Sequence, residues 1–87
     1  MRPLNYAILK YFTTVDKASA KDVVNALKDQ YGNSRSLTEK KVLESLMTAE
    51  ANALLEESSY ELDANGELVI YYHAHQEGRD TINGYIK

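Results

Sequence analysis

The sequence predicts a single α+β domain over residues 1–87, with three helices, a two-stranded antiparallel hairpin and a short last helix. Two patterns support this prediction. Apolar side chains recur at three- and four-residue steps in the first half of the chain, which is typical of amphipathic helices. After Asn52 apolar and polar residues alternate, which is typical of strands with one buried face.

The composition excludes several classes of protein. Of the 87 residues, 44% are hydrophobic and 26% are charged, so the chain is too apolar for intrinsic disorder. It contains no cysteine, which excludes a disulfide scaffold and a thiolate zinc module. It has no apolar run near the roughly 20 residues of a membrane span and no N-terminal secretory pattern. We therefore expect a cytoplasmic protein.

The first helix is expected to begin at Pro3, whose fixed φ suits the first turn of a helix. Its apolar side is formed by Leu4, Ala7, Ile8, Tyr11, Phe12 and Val15. Asp16 and Lys17 break this pattern and predict a turn. A minimal strand near Ala18, paired with the hairpin, is expected to follow.

The second and third helices are expected to span Ser19–Tyr31 and Ser36–Asn52. Ser19 lies three residues before Asp22, and Ser36 three before Glu39, so each pair can form a capping box at a helix start. The buried stripe of the third helix is expected to consist of Val42, Leu43, Leu46 and Met47.

The sequence also predicts how the second helix ends and where the last helix lies. Gly32 is expected to follow the second helix with a positive φ, which glycine adopts without strain. The last helix is expected to run roughly from His75 to Lys87, with an apolar side of Ile82, Tyr85 and Ile86. We expect all elements to share one core that includes Ile8, Leu27, Leu43, Leu46, Leu68 and Ile70.

The hairpin can form in two registers around the turn sequence Asp63-Ala64-Asn65-Gly66. A two-residue turn would pair Leu62 with Val69. A three-residue loop with Gly66 in the left-handed region would pair Leu62 with Leu68. We favour the second register, although the alternation of side chains alone does not exclude the first.

Charge is distributed unevenly along the chain. Residues 1–53 hold eight Lys or Arg and six acidic residues, whereas residues 54–87 hold two Lys or Arg and seven acidic residues. The first half can therefore face a polyanion, and the second half would repel one.

The order of the elements resembles that of winged helix-turn-helix proteins. The two helices joined by Gly32-Asn33-Ser34-Arg35 look like the helix-turn-helix, and Leu54–Tyr72 looks like the wing. The segment from Tyr72 to Ile82 resembles the closing segment of PadR- and MarR-type bacterial regulators, which often reads Tyr-x-Leu-Thr-x-x-Gly-Arg. Here Ala74 and His75 replace the Leu-Thr pair. There is a similar likeness to small YjcQ-type winged-helix proteins.

This resemblance implies a DNA-binding transcriptional regulator whose third helix enters the major groove of double-stranded DNA. On a helical wheel, the polar side of that helix holds Thr38, Lys41, Ser45, Thr48 and Asn52. The candidate DNA-binding residues are Arg35, Thr38, Lys40, Lys41, Ser45 and Thr48. The alternative interpretation is a solvated polar face, which every amphipathic helix has.

The wing argues against ordinary DNA binding, so either it stays away from the duplex, or the partner is not nucleic acid, or its tip is simply solvated. Its tip holds Asp63 and Glu67 and no Lys or Arg, so it would repel phosphates. Val69 and Tyr71 are expected to lie on the sheet face opposite Ile70, where they form a candidate patch for a partner or a second copy. A protein-interaction module is therefore the alternative function, and we expect a monomer or a weak homodimer.

The sequence gives little support for a metal site or for enzymatic activity. His73 and His75 could begin a metal site, but no third ligand has matching local spacing. We instead expect one to end the hairpin and the other to cap the last helix. The chain has no Cys nucleophile, Gly-rich phosphate loop or H-E-x-x-H motif. We expect no enzymatic activity, cofactor or metal.

Overall fold

The computed structural model describes residues 2–87. Its elements are α1 Leu4–Tyr11, β1 Ala18–Ser19, α2 Ala20–Tyr31, α3 Glu39–Ala51, β2 Glu56–Leu62, β3 Leu68–His73 and α4 Gln76–Tyr85. This order confirms the α+β prediction, including the minimal strand near Ala18. The strands form a three-stranded antiparallel sheet with the order β1-β3-β2, and the helices share one core with it.

The β2–β3 hairpin, which we call the wing, has the favoured register. Leu62 pairs with Leu68, and Tyr60 pairs with Ile70. Gly66 has a φ of 77°, so the three-residue loop with a left-handed glycine is confirmed. The Asp63 carboxylate holds this loop, because it accepts hydrogen bonds from the backbone N–H groups of Asn65 and Glu67 at 2.8 and 3.0 Å.

The core lies between the helices and the sheet. Its largest fully buried side chains are Phe12, Val23, Val42, Leu46, Tyr72 and Ile82. Of the predicted core residues, Ile8 and Leu46 are buried, and Leu27, Leu43 and Ile70 pack against the core while partly exposed. The prediction for Leu68 is wrong, since its side chain is 59% exposed. Leu62, its partner across the hairpin, is also exposed, so the turn end of the wing lies outside the core.

The first helix ends earlier than its apolar pattern predicts. α1 stops at Tyr11, and Val15 lies outside it. The hydroxyls of Thr13 and Thr14 donate hydrogen bonds to the carbonyls of Lys10 and Tyr11, each at 2.7 Å. These local bonds compete with the helical ladder and turn the chain toward β1.

The second helix begins with the predicted capping box. The Ser19 hydroxyl accepts a hydrogen bond from the Asp22 N–H, and the Asp22 carboxylate accepts one from the Ser19 N–H. The prediction for Gly32 is wrong, because its φ is −58°. The chain continues in a right-handed turn there, closed by a hydrogen bond from the Ser34 N–H to the Tyr31 carbonyl.

The third helix is capped by Thr38, so the prediction of Ser36 is wrong. The Thr38 hydroxyl accepts a hydrogen bond from the Lys41 N–H at 3.2 Å. With this cap, Leu37 and Val42 occupy the two positions of a hydrophobic staple. Leu37 packs against the core cluster that contains Val42, which explains why the later cap is chosen. The helix ends at Ala51 with Asn52 as its C-cap, one residue before the predicted end.

The segment from Gly78 to Arg79 ties the last helix to the rest of the molecule. A Cβ atom on Gly78 would lie 2.4 Å from the Leu54 carbonyl oxygen, so this close approach requires glycine. The Arg79 guanidinium donates hydrogen bonds to the carbonyls of Ala74, Thr13 and Val15, at 2.7, 3.1 and 2.7 Å. The Gly-Arg pair of the closing segment therefore has a structural role.

The apolar side of α4 is narrower than predicted. Ile82 is buried, as is Ile86 directly after the helix, whereas Tyr85 is 83% exposed. His75 occupies the N-cap position, as expected, but its side chain makes no capping hydrogen bond.

Candidate nucleic-acid interface

The outward side of α3 is set by the three side chains that it buries, Val42, Leu46 and Ala49. At about 100° per residue, the opposite side of the helix is centred near Glu44. Met47 lies on this side and is 54% exposed, so its assignment to the core is wrong. The sequence predicts a buried stripe centred on Leu43 and Leu46, whereas the burial of the small residue Ala49 shifts the stripe toward α1.

A groove between α1 and α3 brings together three of the predicted residues, Lys41, Ser45 and Thr48. It has a volume of about 450 Å³, and Asn5 and Leu9 of α1 form its other wall. Ser45 is half-buried in this groove, while the side chains of Lys41 and Thr48 are exposed. The predicted polar side of α3 therefore lies beside α1 rather than at the centre of the outward face.

A second groove, which we call the wing groove, lies between the N-terminal ends of α2 and α3 and the wing. It has a volume of about 660 Å³ and contains Lys40 together with Lys21 of α2. Five carboxylates also line it, from Asp22, Glu39, Glu61, Asp63 and Glu67. The two basic residues of α3 thus line different grooves, and Lys40 shares its groove with these carboxylates.

The two threonines of the predicted set are engaged within their own helix. Thr38 accepts the capping hydrogen bond at the start of α3. The Thr48 hydroxyl donates to the Glu44 carbonyl at 3.0 Å, so its proton is already used. The hydroxyls of Thr38 and Thr48 therefore stabilise α3 itself.

The cations at the start of α3 remain exposed. Arg35 lies in the loop before the helix, and Lys40 and Lys41 lie in its first turn. Within residues 2–87, the ion pairs are those of Glu56 with the two histidines, so none involves these three cations. Their charge is available to a phosphate backbone.

The predicted partner patch on the wing is partly polar. Val69 and Tyr71 are both half-buried. The Tyr71 hydroxyl donates a hydrogen bond to the Glu61 carboxylate at 2.7 Å, which raises the pKa of Tyr71 above its usual value. The Lys17 ammonium lies 5.0 Å from the centre of the Tyr71 ring. This cation covers part of the patch.

Both histidines meet Glu56 at the far end of the wing. The Nε2 atoms of His73 and His75 lie 2.7 and 3.8 Å from its two carboxylate oxygens. Among the described residues, no group of three or more side chains has the geometry of a metal site.

Comparison with solved structures shows the same architecture in another protein. A PadR-like transcriptional regulator from Bacillus cereus, known from its crystal structure, superposes with a TM-score of 0.68 and 16% sequence identity. The match covers 94% of this chain and 76% of that one. The chain has a winged-helix fold. No protein-family model and no curated protein matches the sequence.

Within this winged-helix fold, α2 and α3 form the helix-turn-helix and β2–β3 form the wing. None of the described helices is long and apolar enough to cross a membrane. Sequence reasoning missed two features of the candidate interface. These are the exposed Met47 on the outward side of α3 and the acidic residues that α2 and α3 add to the wing groove.

Proposed function

We propose that the chain is a DNA-binding regulator that places the N-terminal half of α3 in the major groove. The observation that carries the proposal is the exposed first turn of α3, where Lys40 and Lys41 are adjacent and Arg35 precedes them. In the helix-turn-helix mode, the N-terminal residues of the recognition helix contact base edges. The likeness to a PadR-like transcriptional regulator supports the same role.

Several parts of α3 offer contacts to a duplex. Met47 on the outward side can pack against a thymine methyl group, whereas Thr38 at the N-cap and Ser45 in the groove beside α1 can form hydrogen bonds to phosphates or base edges. Glu44 lies between them and opposes phosphate contact. The wing contributes no cation at its tip, so in this proposal it stays away from the duplex.

Few cations mean weak binding with a shallow salt dependence. Three neutralised phosphates give a slope of about −3 in a plot of log affinity against log salt. We expect a non-specific Kd no better than roughly 10⁻⁵ M at physiological salt.

The test is a fluorescence-anisotropy titration of random-sequence duplex DNA at several salt concentrations. The variants Lys40→Ala and Lys41→Ala should each reduce the salt slope by about one. Lys87→Ala makes the same charge change at the C-terminus and should leave the slope unchanged. The same salt slope for all three variants, or no DNA binding at low salt, would contradict the proposal.

The role of Lys41 is resolved by comparing duplexes of different sequence. If Lys41 contacts a phosphate, Lys41→Ala should weaken binding to all sequences alike. If it reads a guanine edge, the variant should relax the preference at one base pair by about 1–3 kcal/mol.

Adding positive charge to the wing should strengthen DNA binding. Lys in place of both Asp63 and Glu67 would add the most charge, but the Asp63 carboxylate holds the loop. Glu67→Lys therefore tests charge alone, and it should raise the affinity and steepen the salt dependence. Glu57→Lys, at the other end of the wing, is the matched control. Equal gains for both variants would show that only net charge matters.

A further inference from the structure

The face of the wing that carries Tyr72 into the core continues beyond the core as an exposed apolar surface. Ile70 and Leu68 lie on the same face as Tyr72, because side chains alternate along β3. Their partners across the hairpin, Tyr60 and Leu62, share that face. Tyr72 is buried, whereas the side chains of Tyr60, Leu62 and Leu68 are each more than half exposed. We call Tyr60, Leu62, Leu68 and Ile70 the apolar wing face.

The apolar wing face adjoins the wing groove, since Leu68 and Ile70 belong to both. Leu43 of α3 adds an apolar side chain to the same groove. Half of the six large hydrophobic side chains that are exposed within residues 2–87 lie on this one face. Single exposed apolar side chains are common on protein surfaces, but a cluster of them is typical of an interaction surface.

The border of this surface is acidic. Five carboxylates and two lysine ammonium groups line the wing groove. Within residues 2–87, the ion pairs are those of Glu56 with the two histidines, so the exposed carboxylates of Glu39 and Glu67 have no cationic partner there. An apolar surface with carboxylates at its border is complementary to an apolar surface with cations at its border.

Three other occupants fit this surface poorly. Nucleic acid is repelled, because the carboxylates of the groove outnumber its ammonium groups. Two copies of the chain that met through this face would bring two acidic borders together. An added strand finds no free place beside Ile70, because the β1–β3 register places Ala20 there. The occupant therefore binds through its side chains.

We propose that the apolar wing face and the wing groove bind an amphipathic helix of a partner protein, with an aliphatic stripe flanked by Lys or Arg. The aliphatic side chains pack against Leu43 and the apolar wing face, as helices do in apolar grooves. The cations beside the stripe lie next to Glu39 and Glu67, because a helix places them one step around its axis from the stripe. This site goes beyond the proposed DNA interface and does not depend on it.

The test uses a blocked peptide made of two copies of the heptad Leu-Ala-Ala-Leu-Lys-Ala-Lys. In a helix its leucines form one stripe with lysines on both sides. Titrated into the ¹⁵N-labelled protein, the peptide should shift the amide signals of Leu43, Leu62 and Leu68. The signals of Tyr6 and Tyr85, which are exposed outside the wing, should stay in place. We expect a Kd on the order of 10⁻⁴ M, because the buried surface is small.

Two control peptides separate charge from apolar contact. Glu in place of each Lys keeps the leucine stripe but should weaken binding at least about tenfold, because the acidic border repels it. Ala in place of each Leu keeps the charge but should also weaken binding at least about tenfold, because the apolar stripe is lost. Equal binding of all three peptides would overturn the proposal.

Two exposed tyrosines provide a matched pair of variants. Tyr60→Ser removes a ring from the apolar wing face and should weaken peptide binding on the order of fivefold. Tyr85→Ser makes the same change on α4 and should leave the affinity unchanged. The two side chains are 73% and 83% exposed, so neither substitution empties the core. Leu68→Ser tests the groove and should weaken binding on the order of tenfold. Unaltered affinity of the Leu68→Ser variant would show that the site is wrong.

The acidic border is tested by Glu67→Gln, which should weaken peptide binding about threefold at low salt. Glu57→Gln, at the other end of the wing, is the matched control and should have no effect. These titrations contain no DNA, so a failure of DNA binding leaves this proposal intact. Shifts of the Leu62 and Leu68 signals with rising protein concentration, in the absence of peptide, would assign the surface to a second copy of the chain and would overturn it.

Discussion

Leu46 and Met47 are neighbours on α3 with opposite environments. The side chain of Leu46 is 0% exposed, whereas that of Met47 is 54% exposed. Leu46→Ala should lower the free energy of unfolding by about 2–5 kcal/mol, because it leaves a cavity at the centre of the core. Met47→Ala should change it far less. Urea unfolding of both variants measures the difference, and similar losses would show that the orientation of α3 is wrong.

Arg79 joins three backbone carbonyls that no other residue type can join in the same way. Its planar guanidinium reaches Ala74, Thr13 and Val15 together, whereas an ammonium group is a single point of contact. Arg79→Lys keeps the charge but should lower the free energy of unfolding by about 2–3 kcal/mol. Chemical denaturation measures this loss. An unchanged midpoint would mean that these carbonyls are satisfied by water.

At the scale of a helix, the start of α3 depends on Thr38. Thr38→Ala should destabilise the protein by about 0.5–2 kcal/mol, because the Lys41 N–H loses its partner. Ser36→Ala is the matched control and should have little effect, since Ser36 lies two residues before the cap. A lower melting temperature for Ser36→Ala than for Thr38→Ala would show that Ser36, not Thr38, caps α3.

The elements that the sequence predicts well are those determined by local hydrogen bonds and backbone conformation. The capping box of Ser19 and the left-handed Gly66 each depend on residues within one turn, and both are present. Thr38 and Ser36 are both adequate caps, so the choice between them depends on the burial of Leu37. Leu68 follows the correct alternation but lies outside the core, because tertiary packing places a groove rather than buried side chains beside it.

The same limit applies to the candidate site. The sequence identifies α3 and its cations Lys40 and Lys41 as the exposed basic residues near the helix start. It does not place them in different grooves, because the position of α1 and of the wing relative to α3 is set by tertiary packing. The acidic wing groove likewise forms from residues far apart in the sequence, such as Asp22 and Glu67.

At the scale of the whole molecule, we expect a monomer or a weak homodimer. Lys17 and Glu61 cover part of the patch at Val69 and Tyr71, which limits its use as a strong interface. Sedimentation velocity over a range of concentrations measures the association. If a weak dimer forms through this patch, Tyr71→Glu should abolish it. A tight dimer that survives this substitution would exclude the patch.

The measurement that tests the central claim most directly is an NMR titration of the ¹⁵N-labelled protein with excess random duplex DNA at low salt. DNA binding through the helix-turn-helix should shift the amide signals of Arg35 and of residues 39–48 in α3. The signals of the wing tip, residues 63–67, should stay in place. An absence of shifts in α3 would contradict DNA binding through this helix and would favour the winged-helix fold as a protein-interaction module.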